Sequence, residues 1–77
     1  MKPYSENQRR LIANGPKRWN RGDYIAACIA AARRAILTNR PVFIAATAYG
    51  WALTASREET TPSALRAVFT PDGWENL

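Results

Sequence analysis

The residue types that carry most enzymatic chemistry are scarce in this chain. It contains no histidine, the commonest general base in catalysis, and a single cysteine, Cys28. A catalytic thiol needs a neighbouring base, and a lone cysteine can form neither a zinc cluster nor an intrachain disulfide. No glycine-rich loop precedes a predicted helix, so the sequence has no phosphate-binding loop of that type. We therefore expect a protein that is not an enzyme and that uses no metal or cofactor.

Basic residues are the most abundant groups that could bind a partner, and they are concentrated in the first half of the chain. Residues 1–40 carry nine Lys or Arg against two acidic residues, whereas residues 41–77 carry two against four. This asymmetry favours an acidic macromolecule, either nucleic acid or a nucleoprotein, although a solvated basic helical face has the same pattern. The predicted phosphate contacts are Arg9, Arg10, Lys17, Arg18, Arg21, Arg33 and Arg34.

Aromatic residues are the second set of candidate contacts. Nucleic-acid bases stack on aromatic rings, and aromatic rings also anchor protein interfaces. Trp19 lies within the basic segment 17–22, where it either contacts a base or fills the small core. The predicted partner contacts are Trp19, Phe43, Tyr49 and Trp74.

Two helices are predicted to position the basic residues. The first spans residues 5–13, where Ser5 and Gln8 have the spacing of a capping box. The second spans residues 23–38, with Asp23 as N-cap and Asn39 as a left-handed stop. Its apolar residues recur with helical spacing and predict one stripe that faces a sheet. The members of that stripe are Ile25, Cys28, Ile29, Ala32 and Ile36.

A β-hairpin over residues 41–57, turning at Tyr49-Gly50, is predicted to supply that sheet. Its strands would be residues 42–48 and 51–56, with Ala48 opposite Trp51. Strand alternation then sorts the apolar residues onto one core face and small, mostly polar residues onto the other. The predicted core face is Val42, Ile44, Ala46, Ala48, Trp51, Leu53 and Ala55. An Ala-rich helix over residues 41–59 is the alternative.

A third strand is predicted over residues 64–70, followed by a Thr70-Pro71-Asp72-Gly73 turn and a tail over residues 74–77. Leu65, Ala67 and Phe69 would share one face, and a helix over residues 63–69 is the alternative. The predicted fold is a single α+β domain over residues 1–77. In it, a short N-terminal helix and a longer Ala-rich amphipathic helix accompany a three-stranded antiparallel sheet.

The segment RPVFIAATAYGWALT, followed by a short strand and TPDG, resembles small uncharacterised phage and bacterial helix–hairpin proteins. The resemblance implies a tight hairpin and a strand that ends in a Pro-Asp-Gly turn. The chain departs from that pattern at residues 58–61, where EETT stands in place of a Pro-rich segment. The resemblance implies a mobile-element or accessory role and no particular activity.

The first functional hypothesis is a small basic module that binds nucleic acid or a nucleoprotein. The alternative is a phage-encoded inhibitor that blocks a host defence complex through protein–protein contacts, of the anti-CRISPR or anti-restriction type. A structural homodimer subunit is the third.

The sequence also predicts a cytoplasmic location. No apolar run follows the first lysine, so a signal peptide is not expected. The longest uncharged run covers sixteen residues, 41–56, whereas a membrane-spanning helix needs roughly 20 apolar residues.

Overall fold

Local capping signals begin and end both helices. In α1 (Glu6–Asn14) the Gln8 amide N–H donates to the Ser5 hydroxyl at 3.1 Å, and the Ser5 N–H donates to the Gln8 side chain at 2.8 Å. In α2 (Tyr24–Thr38) the Asp23 carboxylate accepts from the Ala26 N–H at 3.1 Å. Asn39 ends α2 with φ of 54°. The two predicted helices are confirmed to within one residue at each end.

The computed structural model describes residues 1–15 and 18–77, apart from the side chain of Glu59. Within those residues the fold is α+β, with two helices on one face of a five-stranded antiparallel sheet. The strands lie in the order β1-β5-β4-β2-β3. They are β1 (Lys2–Pro3), β2 (Val42–Thr47), β3 (Gly50–Thr54), β4 (Leu65–Phe69) and β5 (Gly73–Asn76).

The sheet is larger than the three strands predicted. The Thr70 hydroxyl accepts from the backbone N–H of Asp72 at 3.3 Å and of Gly73 at 3.1 Å, which closes the predicted turn. The chain is thereby reversed, so the expected tail pairs with β4 as β5. The N-terminal residues then pair with β5, with Lys2 opposite Trp74. Both added strands are short and satisfy an edge that a three-stranded sheet would leave open.

The predicted hairpin is present, but its register is wrong by two residues. Trp51 lies opposite Ala46, and the turn is centred on Ala48 and Tyr49. The Thr47 hydroxyl closes this turn by accepting from the Tyr49 N–H at 3.2 Å and donating to the Gly50 carbonyl at 2.7 Å. Because the shift is an even number of residues, the side chains within the two strands stay on their predicted faces. Ala48 and Ala55, which were predicted on the core face, lie outside the strands and are exposed.

The face of α2 that packs on the sheet is made of alanines and differs from the predicted stripe. Ala27, Ala31 and Ala35 are fully buried against the sheet core, which includes Ile44. Ile25 is 66% exposed and Ile36 is 41% exposed, so these two members of the predicted stripe are misassigned. Small side chains let the helix approach the sheet closely, and the strands supply the bulk that fills the space between them. Periodicity alone does not distinguish a small buried face from a larger exposed one.

The opposite face of the sheet, which carries the small and mostly polar side chains of the hairpin, is partly covered by the connection from β3 to β4. This connection carries short 3₁₀ turns at Arg57–Glu59 and Pro62–Ala64. The Arg57 guanidinium lies 5.6 Å from the centroid of the Phe43 ring. A β-bulge between β2 and β4 pairs Leu65 with Ala45, whereas Ala67 pairs with Ile44. Leu65 is buried but lies outside the helix-side core, because the extra residue changes its face.

Candidate functional site

The loop before α2 is attached to the tip of the β2–β3 hairpin. The Trp51 backbone N–H donates to the Arg21 carbonyl at 2.7 Å. Gly50 has φ of 116°, and a Cβ at this position would overlap the Arg21 carbonyl. Glycine therefore meets two requirements here, a left-handed backbone and a close approach of two chains.

The same loop is ordered by its own hydrogen bonds. The Asn20 side-chain oxygen accepts from the Gly22 N–H at 2.9 Å, and the Asn20 carbonyl accepts from the Asp23 N–H at 2.9 Å. Both bonds enclose Arg21 in one tight turn over residues 20–23. They support the contact between the loop and the hairpin tip.

The hairpin tip carries an exposed aromatic ring, and the loop attached to it carries exposed arginines. Tyr49 is 85% exposed at the hairpin tip. Arg21 and Arg18 are exposed in the adjacent loop. Asp23 lies two residues after Arg21, and its carboxylate caps α2 by accepting from the Ala26 N–H. We call Arg18, Arg21 and Tyr49 the basic tip.

Arg33 was predicted to contact phosphate, but its side chain is engaged within the fold. Its Nε donates to the Ile12 carbonyl and its Nη2 to the Gly15 carbonyl, both at 2.9 Å. These acceptors belong to the C-terminal end of α1, where helix carbonyls lack partners within the helix. Arg33 therefore joins α2 to α1, and we leave it out of the candidate surface.

The other predicted basic contacts lie apart from the basic tip. Arg9 and Arg10 are exposed on α1, where Arg10 approaches Glu6 at 3.5 Å in a solvent-exposed ion pair. Arg34 is exposed on α2. Lys17 lies outside the described residues.

Three of the four predicted aromatic contacts are partly buried. Trp19 packs against the core, as in the alternative that had it filling the core. Trp74 stacks on Phe69 with centroids 6.2 Å apart, and the Lys2 ammonium lies 5.2 Å from its ring centroid. Phe43 is half-buried under Arg57. Tyr49 is the predicted aromatic contact with the most exposed ring.

Sequence reasoning missed an apolar groove of about 370 Å³. Helix α1 forms one wall, α2 forms the other, and strands β4 and β5 form the floor. One signal in the sequence could have revealed it: α2 carries more large aliphatic residues than a single stripe facing a sheet needs. The lining residues are Tyr4, Gln8, Leu11, Ile12, Tyr24, Ile25, Cys28, Ile29, Ala32, Phe69, Trp74 and Asn76.

The titratable groups of this groove are held in their neutral forms. Burial raises the pKa of Tyr4 to about 12, against the opposing effect of Arg9, and the Tyr4 hydroxyl donates to the Thr70 carbonyl at 2.7 Å. Burial also raises the pKa of Cys28, and a hydrogen bond with Tyr24 partly offsets this rise. The pKa of Tyr24 is raised by burial first and then by Cys28. A protonated thiol is a poor nucleophile, so burial lowers the reactivity of Cys28.

Comparisons with protein-family models, with curated proteins and with solved structures give no match to this chain. Among residues 1–15 and 18–77, neither helix is long and apolar enough to cross a membrane. The same residues contain no group of three or more acidic, cysteine or histidine side chains that could hold a metal ion.

Proposed function

We propose that this protein is a non-catalytic module that binds nucleic acid through the basic tip. The observation that carries the proposal is the hydrogen bond of 2.7 Å from the Trp51 N–H to the Arg21 carbonyl. This bond attaches the basic loop to the hairpin, so the backbone of Arg21, whose side chain is exposed, lies next to the hairpin tip that carries the exposed Tyr49. Arginines meet phosphates, and an exposed ring offers a stacking surface for an unpaired base.

The distribution of charge supports the same surface. The protein has a net charge of +5, and its first forty residues supply the excess. Glu58 follows β3 at the far end of the hairpin, and Asp72 lies in the turn between β4 and β5. Because β2 begins beside that turn and ends at the hairpin tip, these carboxylates lie at the end of the sheet opposite the basic tip. The repulsion between these carboxylates and an approaching phosphate backbone is therefore weakest at the basic tip.

Single-stranded nucleic acid suits this surface better than a duplex. A base can stack on an isolated exposed ring only when it is not already paired and stacked in a helix. The proposal therefore favours short unpaired segments of DNA or RNA. Arg18 and Arg21 would bind the phosphates on either side of the stacked base.

The test measures binding of labelled single-stranded DNA and RNA by fluorescence anisotropy. Tyr49→Ala should weaken binding about 5- to 150-fold, since stacking contributes roughly 1–3 kcal/mol per base. Arg21→Ala should weaken binding and reduce the salt slope by about 0.7 to 1, the effect of one lost phosphate contact. The Arg21 carbonyl remains in that variant, so the loop stays attached to the hairpin.

Two exposed residues away from the basic tip provide matched controls. Arg40→Ala removes the same charge at the opposite end of β2, and Leu37→Ala truncates another highly exposed side chain. Both should bind as the parent protein does. If Arg40→Ala and Arg21→Ala reduce affinity equally, binding is governed by net charge alone and the basic tip is not the site. Absence of binding at low salt would reject the function itself.

A further inference from the structure

The groove between α1 and α2 leaves large apolar side chains in contact with solvent. Leu11 on α1 is 51% exposed and Ile25 on α2 is 66% exposed, one on each wall of the groove. Cys28 and Ile29 continue the α2 wall, and Phe69 and Trp74 lie on the floor. Apolar residues that line a depression and continue onto both of its rims form one continuous patch, which is typical of an interaction site.

The shape of the groove is set by the way α2 packs. This helix contacts β2, β3 and β4 through its alanine side, while α1 packs on α2. Trp74 of β5 is consequently left on the floor between the two helices and remains half-buried. A helix has a diameter of about 10–12 Å with its side chains. Helices pack by fitting the side-chain ridges of one into the grooves on the surface of its neighbour. A third helix placed here would cover Trp74, Leu11 and Ile25 together.

The charges around the groove are mostly positive. The Lys2 ammonium lies 5.2 Å from the Trp74 ring centroid on the floor. Arg9 is close enough to the Tyr4 hydroxyl to oppose the rise in its pKa, and Arg66 has the same effect on Tyr24. Two carboxylates lie near the same groove: Asp72, which also acts on Tyr4, and Asp23, which caps α2 directly before Tyr24. An occupant with carboxylates beside its apolar face would therefore complement this rim.

We propose that the groove is the docking site for an acidic amphipathic helix of a partner protein. Apolar residues at positions i, i+3, i+4 and i+7 of that helix would contact the groove floor and walls. Carboxylates along its flanks would face Lys2 and Arg9. A second copy of this chain fits less well, because two molecules with a net charge of +5 repel each other.

This docking site is separate from the basic tip, and each proposal has its own variants. Arg21 and Tyr49 do not line the groove, and Leu11 and Ile25 do not belong to the basic tip. Failure of nucleic-acid binding would therefore leave the helix proposal standing, and failure of the helix proposal would leave nucleic-acid binding standing.

The probe is a labelled peptide of about 18 residues, long enough for appreciable helicity in isolation. It carries Leu at positions i, i+3, i+4 and i+7 and Glu on both flanks. A second peptide has the same composition in an order that scatters the leucines, and a third has Lys in place of Glu. The first peptide should bind saturably and shift the NMR signals of the Leu11 and Ile25 amides and of the Trp74 indole N–H. The second and third should bind at least tenfold more weakly.

Protein variants then locate the site. Ile25→Glu places a carboxylate at the rim and should weaken binding of the acidic peptide at least tenfold. Leu37→Glu makes the same change at another exposed position of α2 outside the groove and should bind as the parent does. Both residues are exposed, so unchanged NMR spectra away from the mutated position will show that each variant is folded.

Several results would overturn the proposal. Equal binding of the ordered and scattered peptides would mean that no helical face is recognised, and equal loss in the two variants would mean that the groove is not the site. A dimer of the free protein that Ile25→Glu dissociates would assign the groove to a second copy. Binding of dodecanoate with shifts at Trp74, without binding of the acidic peptide, would assign it to a small anionic amphiphile.

Discussion

The two sides of α2 show that burial in this protein follows the space available and not the size of the apolar side chain. The sheet side consists of alanines and is fully buried, whereas the other side carries isoleucines that are only partly buried, with Ile25 66% exposed. A close helix–sheet contact leaves no room for larger side chains, so the strands supply Ile44, Val42 and Phe69 instead. The larger aliphatic side of α2 is thereby available to line the groove.

The sharpest test of this difference compares two isoleucine-to-alanine substitutions. One is in the strand beneath the buried side of α2, and the other is on the exposed side of α2. Ile44 is completely buried beneath α2, so Ile44→Ala should reduce the free energy of unfolding by about 2–5 kcal/mol through lost burial and a residual cavity. Ile25→Ala should change it by about 0.5 kcal/mol or less, as is usual for an exposed position. Urea denaturation measures both. Similar losses at the two positions would contradict the assignment of the two sides.

A smaller effect is expected when the close contact is overfilled. Ala31→Leu adds three carbons where α2 meets the sheet and should destabilise the protein by about 1–3 kcal/mol, since the helix must shift away. Ala13→Leu makes the same change at an exposed position of α1 and should be nearly neutral. Thermal unfolding distinguishes the two variants. A stabilising Ala31→Leu substitution would show that the contact is looser than described.

The smallest expected effect concerns the reactivity of the thiol on the groove side of α2. Burial raises the pKa of Cys28, so its thiolate should become abundant only above the pH range of an ordinary thiol. Alkylation by iodoacetamide should be slow at neutral pH and should accelerate at a higher pH than it does for free cysteine. Because the folded state favours the protonated thiol, this contribution to stability is complete at neutral pH and is lost as the pH rises through the raised pKa.

Comparison with the unfolded protein provides the control for this reactivity. In denaturant the rate at each pH should match that of free cysteine, since burial has been removed. If Cys28 is alkylated at neutral pH as fast in the folded protein as in the denatured protein, the groove does not shield it. The acidic peptide used above should slow the reaction further if it occupies the groove.

Local signals in the sequence were sufficient for the parts of the fold that depend on neighbouring residues. The Ser5–Gln8 capping box and the Asp23 cap began the helices where predicted, and the polar side chain of Asn39 suited the left-handed stop. The alternation of the hairpin strands was also correct. Each of these features is determined by hydrogen bonds or side-chain directions within a few residues.

The hairpin register depended on an interaction that the local sequence did not reveal. Tyr49-Gly50 was predicted as the centre of a primed turn, but Gly50 follows the turn and meets Arg21 instead. Arg21 lies far away in sequence, so the need for glycine at this point arises from tertiary contact. The basic tip likewise combines a loop and a hairpin that no sequence motif connects.

The sequence by itself determined where the helices begin and end, which residues alternate across the central hairpin, and that the first half of the chain is basic. Only the tertiary structure decided that α2 would pack through Ala27, Ala31 and Ala35, that β5 would add to the sheet, and that Arg33 would bind the end of α1. The physical reason is that capping and alternation are short-range properties. Which face is buried depends instead on how closely two elements can approach once all of them are in place.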